Sequence, residues 1–194
     1  MATLNIAVIG AGRIGQIHAR NVAARPDVRL AGIADPDRAA AERLAKATAS
    51  TVITLDDAFR ADAVLICSPT GTHADYIERA AAAGTPVFCE KPVDLSAERV
   101  RICLETVRRS GIPLMIGFNR RFDRHFGALK QRLDGGEIGT LELLTIISRD
   151  PSPPPLGYIA TSGGLFRDMM IHDLDLARYF LGDEPVRSTR RHRR

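Results

Sequence analysis

The chain has 194 residues, 45% hydrophobic and 26% charged, enough for one full core and part of a second at roughly 150 residues per domain. Its net charge of +4 sits in a tail, because Arg187, Arg190, Arg191, Arg193 and Arg194 fall in the last eight residues and the balance without them is −1, so no nucleic-acid partner is expected. No apolar run approaches membrane-spanning length, Met1 leads almost directly into an apolar segment with no signal or transit sequence, and Cys67, Cys89 and Cys103 show neither CxxC nor zinc spacing, which together predict a cytoplasmic protein with reduced thiols, no bound metal and no membrane partner.

Residues 6–9 read as a strand buried on both faces, and Gly10-Ala11-Gly12-Arg13-Ile14-Gly15 follows at once. Gly10 suits the tight turn, Gly12 lets main chain approach a pyrophosphate, and Gly15 lets the next helix pack closely on the strand. The amides and positive end of that helix then face an anion. A second strand at 28–34 delivers Asp35, 20 positions beyond Gly15, where its carboxylate can accept from an adenosine ribose. An acid there favours NAD over NADP, with Arg38 nearby as the opposing signal. The alternative is a strand-to-helix turn that binds nothing.

From residue 4 to about 135, short apolar runs alternate with amphipathic helical stretches, predicting a mostly parallel, doubly wound sheet. Helix 37–47 is alanine-rich, 51–53 reads as a third strand, and Thr54 can cap a short helix over 56–60. Strand 63–67 opens into Ser68-Pro69-Thr70-Gly71-Thr72, then a helix from His73 to Ala83 that Gly84 can end. Ser68, Thr70 and His73 flank this strand end, with ordinary loop and helix-start roles equally open. Strand 86–89 ends in Glu90-Lys91-Pro92, at the carboxyl edge where open α/β sheets bind ligands. Ser96 can cap helix 97–109, with Gly111 beyond its end; strand 114–118 leads through Asn119-Arg120-Arg121 to a helix near 123–133. His18 and His125 fall in predicted helices and carry no assigned role.

Residues 141–148 read as one more strand, 151–155 as a proline-stiffened loop, and about 165–181 as a helix. On that helix Met170, Leu174, Ala177 and Leu181 share one face, opposite Asp168, His172, Asp175 and Tyr179. Such an apolar helix is expected to be buried, so its ionisable stripe needs partners or a polar ligand. Asp168 and His172 can pair structurally, or His172, ordinarily titrating near about 6.5, can take a hydroxyl proton with Asp168 orienting it. Lys91 can donate to a reacting oxygen and stabilise alkoxide character, unless it is simply a surface lysine. The combination fits a dehydrogenase.

Several segments together resemble the Gfo/Idh/MocA oxidoreductase family over residues 4 to about 186: the glycine turn, Glu90-Lys91-Pro92, Gly117-Phe118-Asn119-Arg120-Arg121-Phe122-Asp123, Ser148-Arg149-Asp150-Pro151, and the run from Gly163 through Asp168 and His172 to Asp173. Within the family the likeness is to members that oxidise inositol. It implies an α/β Rossmann domain over 1–120 and the start of an incomplete α+β substrate and oligomerisation domain over 121–186, while the arginine-rich residues 187–194 read by composition as a basic disordered tail. It implies catalytic positions at Lys91, Asp168 and His172, a substrate set adding Arg120, and an NAD set of Gly10, Gly12, Arg13, Ile14, Gly15, Asp35, Ser68, Thr70, Glu90 and Asn119. The implied reaction is NAD-dependent oxidation of myo-inositol to 2-keto-myo-inositol. Alternatives are oxidation of scyllo-inositol or another sugar, or a non-catalytic NAD-binding sensor. Family members continue into a mostly antiparallel sheet that walls the pocket and builds a homo-oligomer, whereas residues 188–194 do not resemble its next strand. A shortened relative is therefore expected, with apolar surface exposed around Leu141, Leu143 and Ile146.

Overall fold

A computed structural model describes residues 3–154, 156–159, 162–187 and 189, in two compact units divided between Gly117 and Phe118. The tail expected over 187–194 lies almost wholly outside the described residues.

The first unit is built on five parallel strands, β1 (Leu4–Ile9), β2 (Val28–Ala34), β3 (Ala63–Ile66), β4 (Val87–Cys89) and β5 (Leu114–Ile116), in the order β2-β1-β3-β4-β5. Helices α1 (Arg13–Ala23), α2 (Arg38–Ala47), α3 (Leu55–Ala58), α4 (His73–Ala83) and α5 (Ala97–Ser110) make the connections. Alternation along β1 distributes its side chains to two cores. Val8 packs with Ala19, Val22, Ala41 and Leu44 of α1 and α2, while Ala7 and Ile9 pack with Ile77, Ala80, Cys103 and Val107 of α4 and α5. Both faces of the sheet are thus covered, as the near-continuous apolar strands require. The chain runs from β1 outward to β2 and returns to β3 on the other side of β1, which puts the reversal of strand order between β1 and β3.

Local signals set the helix ends. The side chains of Asp37, Thr54 and Ser96 accept from the amides of Ala40, Asp57 and Arg99, while Gly84 and Gly111 end α4 and α5 in the left-handed region. The strand expected at 51–53 reduces to one bridge, Ile33 to Val52. Its exchange with Ile33 is limited to Thr51 O and Ile53 N, and Thr54 then turns the chain into α3.

The second unit holds α6 (Arg124–Asp134), α7 (Leu156–Ile159), α8 (Leu165–Asp168) and α9 (Met170–Leu181) among its described residues. Residues 141–150 carry no regular structure, contrary to the expected strand, and no described residue of this unit offers a paired edge. A strand's hydrogen bonds come from a neighbour, so a largely apolar segment alone does not make one. Leu143 is 83% exposed and Ile147 74%, whereas Leu141 and Ile146 are half-buried. The single helix expected over 165–181 is interrupted at Met169, where His172 N bonds back three residues to Met169 O. The buried side of α9 also differs from the expected one: Asp175, Leu176 and Phe180 are buried, while Leu174 and Leu181 are exposed. Phe126 of α6 packs edge-on against Phe180 at 6.2 Å and Arg121 binds Asp175, so these neighbours select the face.

Candidate functional site

The carboxyl ends of the five strands form one edge, and the ladder runs one residue past each of several strands. Gly10 N donates to Ala34 O, Cys67 N to Ile9 O, Glu90 N to Ile66 O and Gly117 N to Cys89 O, at 2.8–2.9 Å. The glycine turn, Asp35, Ser68 and Glu90-Lys91 therefore leave the sheet at a common level. Gly10 has φ +105°, and a Cβ there would lie 2.6 Å from Cys67 O at the β1–β3 reversal. At Gly15 a Cβ would fall 1.9 Å from Gly10 O, so close packing of α1 on its own turn excludes any side chain.

Gly12 differs. Its φ of −68° suits any residue, and among the described residues no atom lies within 4 Å of where its Cβ would sit. Neither strain nor internal packing calls for glycine here, while close approach of a bound phosphate does. Gly12 caps α1 without a side-chain hydrogen bond, and no acidic residue lies in the helix's first turn, so the helix supplies no acid of its own to offset its positive end. Arg13 opens the helix exposed and Ile14 is half-buried. The residues present fit a dinucleotide pyrophosphate.

Asp35 stands immediately after β2. One carboxylate oxygen accepts from Ala11 N at 2.6 Å and the other from Asp37 N at 2.8 Å. The acid is thereby tied to the middle of the glycine turn, with lone pairs left over for ribose hydroxyls. Arg38 is drawn instead to Glu42, one turn along α2, at 2.9 Å.

At the end of β3, Thr72 donates its hydroxyl to Pro69 O at 2.8 Å and lies 2.7 Å from Ser68 Oγ, which fixes the Ser68 rotamer. Thr70 begins the 3₁₀ turn Thr70–Thr72 and is half-buried. His73, 2% exposed, places Nδ1 2.7 Å from Pro92 O and Nε2 2.7 Å from Ser68 O. At the end of β4, Glu90 Oε1 lies 2.8 Å from His18 Nε2, and the His18 ring tilts against Phe88 at 5.0 Å. Lys91 follows, half-buried, before buried Pro92. Sequence reasoning left His18 without a role. The available signal was helical phase: Gly15, Ala19 and Val22 are the buried face of α1, and His18 adjoins it near the turn.

The thiols near this edge are poorly ionised. Burial, with help from the Glu90 charge, pushes Cys67 up to about 12, burial foremost pushes Cys103 up to about 11, and Cys89 is raised in the same way. Among the described residues no cluster of His, Cys, Asp and Glu is suited to a metal, and no helix is long and apolar enough to cross a membrane.

In the second unit, Asn119 and Arg120 lie in the 3₁₀ turn Asn119–Phe122, Asn119 exposed and Arg120 half-buried. Arg120 Nη1 pairs with Asp173, which Ser148 also contacts. Arg121 forks onto Asp175 at 2.8 and 2.7 Å, and Asp175 is only 4% exposed. Two adjacent arginines thus grip two acids of α9 on either side of Leu174. Asp168 closes α8 and His172 lies in the first turn of α9, both half-buried. The break at Met169 comes between them.

Residues 4–118 match the family described as an oxidoreductase family with an NAD-binding Rossmann fold, GFO/IDH/MocA, and residues 126–193 match the GFO/IDH/MocA C-terminal domain. The chain belongs to the Gfo/Idh/MocA oxidoreductase family. It is 55% identical over 190 residues to an inositol 2-dehydrogenase of Rhizobium meliloti (strain 1021), covering 96% of this chain and 58% of that protein. A crystal structure of a myo-inositol dehydrogenase from Corynebacterium glutamicum ATCC 13032 is similar with TM-score 0.87 and 52% identity, covering 92% of this chain and 55% of that one. A scyllo-inositol dehydrogenase from Lactobacillus casei, solved with bound NAD(H) and scyllo-inositol, is similar with TM-score 0.79 and 32% identity, covering 93% and 57% respectively. The chain spans somewhat more than half the length of these relatives. The parallel sheet and glycine turn place its first unit with the family's NAD-binding fold.

Proposed function

We propose that this chain carries the cofactor-binding and proton-handling parts of an NAD-dependent polyol dehydrogenase, with myo-inositol as substrate and 2-keto-myo-inositol as product. The observation that carries this reading is the 55% identity to an inositol 2-dehydrogenase over 190 residues, a span that runs through the glycine turn, Lys91, Asp168 and His172. Bound NAD supplies the hydride acceptor. Gly10, Gly12, Arg13, Ile14 and Gly15 hold its pyrophosphate, Asp35 its adenosine ribose, and Ser68, Thr70, Glu90 and Asn119 the remainder. Lys91 donates to the reacting oxygen and stabilises alkoxide character as the C–H bond breaks. His172 accepts the hydroxyl proton at a ring nitrogen, and Asp168 orients it and a neighbouring substrate hydroxyl. Arg120 contributes to the polyol site and, through Asp173, to the placement of α9. A cytoplasmic setting belongs to the same reading. A second reading, oxidation of scyllo-inositol at the same residues, is favoured by the likeness to the Lactobacillus casei enzyme.

The deciding experiment incubates the purified chain with NAD and either inositol and follows NADH absorbance. Formation with myo-inositol that disappears in Lys91→Ala and His172→Ala supports the proposal, and a preference for scyllo-inositol supports the second reading. Tight NAD binding without turnover on any polyol overturns both.

A further inference from the structure

Lys91 reaches its proposed position on a flexible side chain, so where its backbone is held decides where its amine works. Both of its neighbours are held by histidines from different helices. Glu90 meets His18 of α1 at 2.8 Å, across 72 positions of sequence, and Pro92 O meets His73 of α4 at 2.7 Å. The other nitrogen of His73 reaches Ser68 O at 2.7 Å, tying the end of β3 to the loop after β4. His73 is 2% exposed, and the side chains of His18 and Glu90 are only 23% and 20% exposed, so water competes weakly for these bonds. The Glu90 carboxylate is also backed by main chain: a Cβ at Gly117 would lie 3.2 Å from its Cδ and Oε1.

We propose that His18 and His73 are positioning residues that brace the Glu90-Lys91-Pro92 segment from either side and thereby set where the Lys91 amine lies. The inference rests on the proposed catalytic role of Lys91. His18 donates through Nε2 to the Glu90 carboxylate, which only accepts when ionised. Both partners of His73 are carbonyl oxygens, which only accept, so its Nδ1–H holds Pro92 O, and the bond to Ser68 O forms as well when the ring is an imidazolium. Each histidine acts through the residue next to Lys91. Misplacing a reacting group by about 1 Å costs on the order of 100-fold in rate, which makes such a brace visible in kcat.

The test compares His18→Leu, His18→Gln, His73→Leu and His73→Gln in the full chain, with exposed His125→Gln as the control. Two readouts are taken: NADH formation with NAD and myo-inositol, and the carbon-13 NMR signal of Lys91 after reductive methylation, assigned with Lys91→Arg. Both leucine variants are expected to lose roughly 10- to 100-fold in kcat and to shift the Lys91 signal. His18→Gln, which keeps an N–H donor, recovers most of both. The glutamine variants carry the comparison if a leucine variant fails to fold. Leucine variants with unchanged kcat and an unmoved Lys91 signal overturn the brace, as does a kcat loss with the signal unmoved. A wild-type chain without turnover on any polyol defeats the functional proposal, while the Lys91 signal still decides the brace.

Discussion

Gly12 and Gly15 stand three residues apart in one turn, yet the structure assigns them different reasons for being glycine, and alanine at each position separates those reasons. In Gly15→Ala the new Cβ falls 1.9 Å from Gly10 O and 2.8 Å from Gly10 C. Carbon–oxygen contacts settle at about 3.3–3.6 Å, so α1 has to withdraw by about 1.4 Å or more from the strand end. Withdrawal opens the contacts of Ala19 and Val22 with β1, for a loss of about 3 kcal/mol, the upper end of ordinary overpacking. Gly12→Ala meets nothing within 4 Å among the described residues and has a compatible φ of −68°. Removing glycine's freedom from the unfolded chain gains about 0.4–1 kcal/mol. Alanine is a poorer helix cap than glycine by about 0.5 kcal/mol, so the two effects nearly cancel. Urea unfolding followed by circular dichroism should therefore place Gly12→Ala within about 0.5 kcal/mol of wild type. Titration calorimetry should show its NAD affinity reduced at least about tenfold, equivalent to about 1.4 kcal/mol, because the added methyl intrudes where the pyrophosphate lies. A Gly12→Ala chain that binds NAD as tightly as wild type, or loses as much stability as Gly15→Ala, would refute the assignment of this turn.

Asp35→Ala strips an acceptor from the amides of Ala11 and Asp37, so unfolding free energy should fall by about 1–3 kcal/mol and NAD affinity should fall more than NADP affinity. Equal losses for the two cofactors, measured by calorimetry, would remove Asp35 from the ribose role. Arg121→Ala leaves the buried Asp175 carboxylate without its forked partner and should cost about 2–4 kcal/mol, with the double variant Arg121→Ala/Asp175→Asn recovering part of the loss in urea melts. The thiols provide a pH test. With Cys67 raised to about 12 and Cys103 to about 11, the folded chain keeps protons that the unfolded chain releases above about pH 8.5. Stability from this source is complete below that pH and declines as pH rises toward 11, so the melting midpoint should drop over this window, and iodoacetamide at pH 8 should label the native thiols far more slowly than the unfolded ones. Rapid native labelling of Cys89 or Cys103 would contradict their burial.

Features governed by a few consecutive residues could be read from the chain alone. The caps at Asp37, Thr54 and Ser96 and the stops at Gly84 and Gly111 each depend on hydrogen bonds or dihedral freedom within one turn. The glycine turn with Asp35 was legible for a similar reason, since strand, turn, helix and second strand occur within one β-α-β unit. Tertiary structure decided what depends on a distant partner. The apolar stretch at 141–148 suggested a strand, but without a paired edge among the described residues it has no ladder, and 51–53 contributes one bridge because its backbone bonds pass through Ile33 alone. Periodicity made α9 amphipathic but could not choose its buried side, which Phe126 and Arg121 select through Phe180 and Asp175. His18 became a partner of Glu90 only when the fold brought α1 alongside the end of β4, across 72 residues. Local hydrogen bonding and glycine geometry are properties of the segment itself, whereas pairing and burial are properties of whatever packs beside it.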